Sequence, residues 1–114
     1  MNKITLNIMG VGSDFKVFVY SDDKNFKEYI HPDFDNIPVY AGQKIEFFYH
    51  EGRSWKYDDR NHKTHFLGVG TTYTIVVPES AQGTATLFID DKYSDWFLTL
   101  HGGLGWIDSA LISN

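Results

Sequence analysis

Apolar and polar residues alternate along most of this chain, and each alternating run is short, as in ITLNI near the start and TTYTIVV further on. A period of two residues is the pattern of a strand with one buried face. Gly, Asp, Asn and Pro separate the runs, as they do in turns. No stretch of a dozen residues carries a helical period. The sequence therefore predicts an all-β fold of about nine to ten strands.

Strands at this spacing, with no helices between them, are typical of an antiparallel sandwich or a barrel. We predict an antiparallel β-sandwich of jelly-roll or immunoglobulin-like type, and a barrel around a ligand cavity is the alternative. A chain of 114 residues is the size of one ordinary domain, so residues 1–114 are expected to form a single unit. FKVFVY and FKEYI are predicted to form a hairpin, and Pro38 restricts IPVY to an edge or to a strand start.

Composition and charge exclude several classes of function. The net charge is −5 without a basic stripe, which argues against a nucleic-acid partner. The chain has no cysteine, which excludes disulfides, a thiolate zinc site and a cysteine nucleophile. No apolar run has the length of a signal peptide core or a membrane span. We therefore expect no membrane insertion and a protein that is cytoplasmic as synthesised, and any export from the cell would have to follow a non-classical route.

Aromatic residues make up 17% of the chain, more than so small a core can hold, so a surplus is expected at the surface. The segment HEGRSWKYDDRNHKTH, residues 50–65, interrupts the alternation, and Trp55 has no apolar neighbour on either side. Exposed rings stack on sugar C–H faces, while Asp, Asn, His and Arg bond the hydroxyls. The predicted ligand-binding residues are Trp55, Tyr57, Asp58, Asp59, Arg60, Asn61 and His62.

The same segment has two other interpretations. His62 and His65 with a neighbouring carboxylate have the chemistry of a zinc site, provided that a turn aims both rings at one ion. A hydrated connection with incidental histidines is the plainer interpretation. No serine stands in a nucleophile elbow and no glycine-rich phosphate loop is present. We therefore predict that the protein is not an enzyme, with a small metal-dependent enzyme as a minority alternative.

Calcium is the candidate cofactor. Asp90 and Asp91 follow the run TATLFI, and Asp95 comes four residues later. Calcium takes several carboxylate and carbonyl oxygens, which acidic loops at strand ends supply. The predicted metal ligands are Asp90, Asp91 and Asp95, although aspartates in turns also serve as capping groups without any metal.

Two stretches, VYAGQKIEFFYHEGRSW and VVPESAQGTATLFIDDKYSDWFLTL, give residues 39–100 a resemblance to the PA-I-type galactophilic bacterial lectins. The resemblance implies a calcium-binding lectin sandwich. It places Asp91 on an acidic calcium ligand and Trp55 or Tyr57 near a tyrosine of the earlier loop. Ser94 and Asp95 stand where that family has paired asparagines.

Taken together, these features predict a carbohydrate-binding, lectin-like protein whose partner is a glycan. The alternative is a protein-interaction module, such as an inhibitor, immunity or assembly protein, because surface aromatics and net acidity suit a protein interface equally well. Single sugar sites bind weakly and lectins gain avidity by assembly, so we expect a homo-oligomer, for which edge-strand pairing is the route.

Overall fold

The computed structural model describes residues 3–58, 61, 63–79, 81, 83–92 and 95–102; for residues 58, 90–92 and 95–102 only the backbone is described. Across this part of the chain the fold is all-β, and eight strands form one continuous hydrogen-bonded ladder. The strands are β1 (Lys3–Met9), β2 (Phe15–Tyr20), β3 (Phe26–Ile30), β4 (Ile37–Tyr40), β5 (Lys44–Asp58), β6 (Thr64–Val76), β7 (Thr84–Lys92) and β8 (Asp95–Gly102).

The strand order is β3-β2-β5-β8-β7-β1-β4, and β6 pairs with β5 beside this path. The first half of β5 pairs with β2, and its second half pairs with β8. The register between β5 and β6 shifts between Phe48 and Arg53, where both long strands pass from one half of the ladder to the other. β5 thus joins the two halves of a sandwich-like fold.

The core between the halves follows from alternation. Every second residue of β1 is buried, and β2 and β7 repeat this pattern. Because successive side chains of a strand point to opposite faces, these positions from all the long strands meet in one apolar cluster. Among its largest members, the Phe15 ring contacts those of Phe47 and Trp55, with centroids 6.2 Å apart in both pairs.

Two features of the predicted fold need correction. The described strands number eight rather than nine or ten, because HFLGV and TTYTIVV are one strand, β6. The predicted final strand, WIDSALI, lies outside the described residues. The ladder is also not purely antiparallel, since β1 pairs with β7 and β5 with β8 in parallel. The predicted β2–β3 hairpin is confirmed, and β4, which contains Pro38, pairs with β1 at the end of the strand order.

Candidate functional site

The segment 50–65 is mostly strand rather than loop. β5 continues to Asp58 and β6 begins at Thr64, so the predicted insertion is the far end of a long hairpin. Trp55 is 1% exposed and Tyr57 is 8% exposed. The prediction that these two rings lie at the surface is therefore wrong. Both belong to an alternating series in which Ser54 and Lys56 are the less buried members.

The contacts of Trp55 are those of a core residue. Its ring stacks on Tyr73 with centroids 5.7 Å apart, and its Nε1 donates a hydrogen bond to the carbonyl of Gly70 at 3.0 Å. Tyr57 stacks on His65, with centroids 4.7 Å apart and an interplanar angle of 14°. Burial raises the pKa of the Tyr73 phenol, and the nearby Tyr57 raises it further. This group of rings holds β5 to β6.

Two of the remaining predicted ligand-binding residues are described at the end of this hairpin. Asp58 ends β5, and Asn61 is exposed in the turn. The side chain of Asp58 and the whole of Asp59, Arg60 and His62 lie outside the described residues. A joint sugar or zinc site there stays a prediction.

The predicted calcium ligands lie in strands. Asp90 and Asp91 are within β7, and Asp95 begins β8, which pairs antiparallel with β7. The antiparallel pairing of β7 and β8 extends to Lys92 and Asp95, and Asp95 is also in register with Ser54 of β5. The side chains of these aspartates are not among those described. Within the described part of the chain, no group of three or more His, Asp or Glu residues could hold a metal ion.

The surplus aromatic residues lie on another surface. β3, β2, the first half of β5 and the second half of β6 form four adjacent strands, and their alternate residues point away from the core. The strand registers arrange these residues in three rows, which we call the outer face. The rows are Phe26–Tyr20–Lys44–Val76, Glu28–Phe18–Glu46–Thr74 and Ile30–Lys16–Phe48–Thr72.

Rings at the β2–β3 side of the outer face contact one another directly. Phe26 is 52% exposed, and its ring centroid lies 5.3 Å from those of both Phe18 and Tyr20. The Phe18–Phe26 pair is edge-to-face, with an interplanar angle of 80°, and Tyr20 is tilted by 46° from Phe26. The rings form a ridged apolar surface and not a flat one.

Charged groups hold the middle of the outer face in place. The Lys44 ammonium lies 4.2 Å from the centroid of the Tyr20 ring, and the Tyr20 hydroxyl donates a hydrogen bond to Glu46 at 3.4 Å. Partial burial raises the pKa of Tyr20, and the charge of Glu46 and the hydrogen bond to it raise it further. The face thus combines exposed rings with two lysines and two glutamates.

Sequence reasoning missed the outer face although the signal was present. In FKVFVY the alternation that buries Phe15, Val17 and Val19 leaves Phe18 and Tyr20 on the opposite side. Aromatic residues at the positions of a strand where polar residues are expected indicate a second, exposed apolar surface.

A separate cleft of about 350 Å³ lies where β1 turns into β2. Tyr49 forms one wall, and its ring lies 4.7 Å from that of His50 and 5.6 Å from the Arg53 guanidinium. Arg53 in turn contacts Glu51 at 3.2 Å. The cleft is lined by Gly10, Val11, Gly12, Ser13, Asp14, Phe15 and Tyr49.

No protein-family model, curated protein or solved structure matches this chain. The resemblance to PA-I-type lectins therefore stays a prediction. In the part of the chain that the structure describes, no helix has the length and apolarity needed to span a bilayer.

Proposed function

We propose that this protein is a protein-interaction module, of the inhibitor, immunity or assembly kind, and that the outer face is its contact surface. The observation that supports the proposal is Phe26, which is half exposed and packs edge-on against Phe18 in a surface of mixed rings and charges. Aromatic residues, phenylalanine and tyrosine among them, are enriched in protein interfaces, and tyrosine is also enriched among the energetic hot spots. With Trp55 and Tyr57 buried, this surface takes the place of the predicted sugar site.

Ring orientation favours a protein over a saccharide at this surface. A sugar chain lies on rings that expose their faces, whereas an 80° angle between Phe18 and Phe26 leaves one ring edge-on to the other. Ridges of this kind interdigitate with the side chains of a partner protein, as in packing between sheets.

For the fold itself, we propose that the sandwich is of the jelly-roll or immunoglobulin-like type.

The charges define the chemistry of the partner. Glu28 and Glu46 flank Phe18 in the middle row, and Lys44 and Lys16 stand in the two neighbouring rows. The partner should therefore present an apolar centre with basic groups opposite the glutamates and acidic groups opposite the lysines. The footprint is roughly 400 Å², since strands lie ~4.8 Å apart and one face repeats every ~6.8 Å. Counted over both partners the contact area is about 800 Å², below the ~1,200–2,000 Å² of stable complexes, so the face suits transient association.

The test starts with affinity capture from the native cell, followed by titration of the purified partner against variants. Phe26→Ser should weaken binding about tenfold or more, because truncation removes the most exposed ring of the outer face. Glu46→Lys should weaken binding, because it sets a like charge against the partner's basic group and removes the acceptor of the Tyr20 hydroxyl. Phe88→Ser is the matched control, since Phe88 is 40% exposed on β7, away from the outer face. Equal binding by Phe26→Ser and Phe88→Ser would contradict the proposal.

A saccharide at the Tyr49 cleft is the second candidate, and the cleft itself favours it. A ring beside Ser13 and Asp14, in a space of about 350 Å³, offers stacking and hydroxyl-bonding groups together. A glycan array, run with and without calcium, separates the two candidates. Signal lost in Tyr49→Ala and kept in Phe26→Ser would assign sugar binding to the cleft, and dependence on calcium would implicate Asp90, Asp91 and Asp95. A flat array leaves the protein partner as the function.

A further inference from the structure

Three strands have one partner each among the described strands: β3, β4 and β6. A free strand edge presents unpaired N–H and C=O groups, and proteins guard such edges with charges, proline or short length. β3 carries Lys27 and Glu28, while β4 is four residues long and contains Pro38. β6 has neither guard: its 13 residues, THFLGVGTTYTIV, include no Asp, Glu, Lys, Arg or Pro.

The exposed apolar side chains of β6 also indicate an edge that is not protected against pairing. Phe66 is 63% exposed and Val69 is 72% exposed, the two largest values among the exposed large hydrophobic residues of the described chain. A bulge at Leu67 makes this first part of the strand irregular. The second part, from Thr72 to Val76, pairs with β5 in an unbroken register. The regular part is therefore the better template for another strand.

Hydrogen bonding at the end of β6 identifies the groups that face outward. The N–H of Val77 donates to Gln43 at 2.9 Å and its carbonyl accepts from Gly42 at 2.8 Å, so Val77 faces β5. Backbone direction alternates along an antiparallel strand. Tyr73 and Ile75 consequently bond to β5, whereas Thr72, Thr74 and Val76 direct their N–H and C=O groups to the edge that no described strand pairs with.

We propose that β6 pairs with β6 of a second copy of this chain, antiparallel and with a two-fold axis at Thr74. This register places Thr74 opposite its own copy and Thr72 opposite Val76 of the second copy, and it forms about six backbone hydrogen bonds. Because the strand has no charged residue, self-pairing brings no like charges together. Threonine and β-branched pairs across strands add to the stability of the dimer.

Such a dimer extends the outer face without covering it. Thr72, Thr74 and Val76 are the last column of that face, beside Phe48, Glu46 and Lys44. Two copies joined at β6 therefore present one eight-stranded surface with two sets of rings. This doubles the valency of whatever the face binds. The dimer does not depend on the proposed function, and either can fail alone.

A charge-swap experiment on the full chain tests the register. In Thr74→Lys, and equally in Thr74→Glu, identical charges oppose each other at the axis. Native mass spectrometry and sedimentation equilibrium should show a dimer for the unaltered chain and a monomer for each variant alone. A one-to-one mixture of the two variants should form a heterodimer. Lys27→Glu, a charge change on the β3 edge, should leave the dimer intact.

Hydrogen exchange supplies the second readout. The amides of Thr72, Thr74 and Val76 should gain protection as protein concentration rises, while those of Tyr73 and Ile75 stay protected throughout. A chain that is monomeric up to submillimolar concentration would overturn the proposal. A dimer that persists in folded Thr74→Lys would overturn it as well. Protection of the three outward amides that does not depend on concentration would also overturn it, because another segment of the same chain would then occupy the edge.

Discussion

The indole nitrogen of Trp55 donates a hydrogen bond to the backbone carbonyl of Gly70 across 3.0 Å. The bond joins β5 to β6 just after both strands bend from one half of the sandwich to the other. The indole also stacks on Tyr73. Tyr73 directly follows Thr72, the residue of β6 that is in register with Phe48 of β5. A single buried side chain thus fixes the relative position of the two longest strands.

Replacing Trp55 by Phe should destabilise the fold by about 1–3 kcal/mol. Phenylalanine keeps a ring in the core and removes the N–H, which leaves the Gly70 carbonyl without this partner. Urea unfolding followed by circular dichroism measures the change. Phe26→Leu, at a half-exposed position, is the control and should stay within about 0.5 kcal/mol of the unaltered chain. An equal effect of both changes would show that the hydrogen bond contributes little.

Local alternation predicts much of this fold. The runs FKVFVY and FKEYI form the β2–β3 hairpin, and the first half of β5 buries Ile45 and Phe47 as its period requires. These features depend on neighbouring residues only, so a sequence pattern is enough to find them.

The second half of β5 shows where the prediction fails. Its polar residues resemble a loop, yet Trp55 and Tyr57 keep the period of two and lie in the core. The parallel pairing of β5 with β8 depends on contacts some 40 residues apart in the chain, which no local pattern specifies. The alternation in FKVFVY indicates exposed rings on β2, but the outer face as a whole comes from four separate segments, whose assembly no local pattern specifies.

Gly10 should be the least replaceable glycine of the β1–β2 turn. Its φ is +89°, and a Cβ there would overlap the backbone carbonyl of Ile89. Gly10→Ala should therefore cost at least about 1–2 kcal/mol from the left-handed backbone alone. Gly12→Ala is the matched control, because a Cβ at Gly12 meets nothing within 4 Å, and it should change stability by less than about 0.5 kcal/mol. Thermal unfolding of the two variants measures the difference, and Gly10→Ala should have the lower melting temperature. Equal melting temperatures would contradict this expectation.

Asp22 organises the β2–β3 turn that leads into Phe26. Its carboxylate accepts hydrogen bonds from the backbone N–H groups of Lys24 and Asn25, both at 2.8 Å, and from the Asn25 side chain. These hydrogen bonds lower the pKa of Asp22, and the bond from the Asn25 side chain has the largest effect. Protection of the Asn25 amide should therefore persist below the pH at which a free aspartate gains its proton, and disappear in more acidic solution. Nuclear magnetic resonance measures the protection of the Asn25 amide as a function of pH. Asp22→Ala should abolish this protection at every pH, whereas Asp23→Ala, the control, should preserve it.

Tyr73 should make the fold sensitive to alkali. Burial, and then the nearby Tyr57, raise its pKa in the folded state above the ordinary value of about 10. Below about pH 10 both states keep the proton and the stability is complete. Above it the unfolded chain loses the proton first, so this one group lowers stability by ~1.4 kcal/mol per pH unit until the folded pKa is reached.

Tyr73→Phe keeps the ring against Trp55 and removes the ionisable hydroxyl, so its stability should fall less steeply above pH 10. Urea unfolding of this variant and of the unaltered chain, at a series of pH values above 10, measures the two slopes. Identical slopes would mean that the Tyr73 hydroxyl titrates alike in the folded and unfolded states, as its burial beside Trp55 and Tyr57 does not allow.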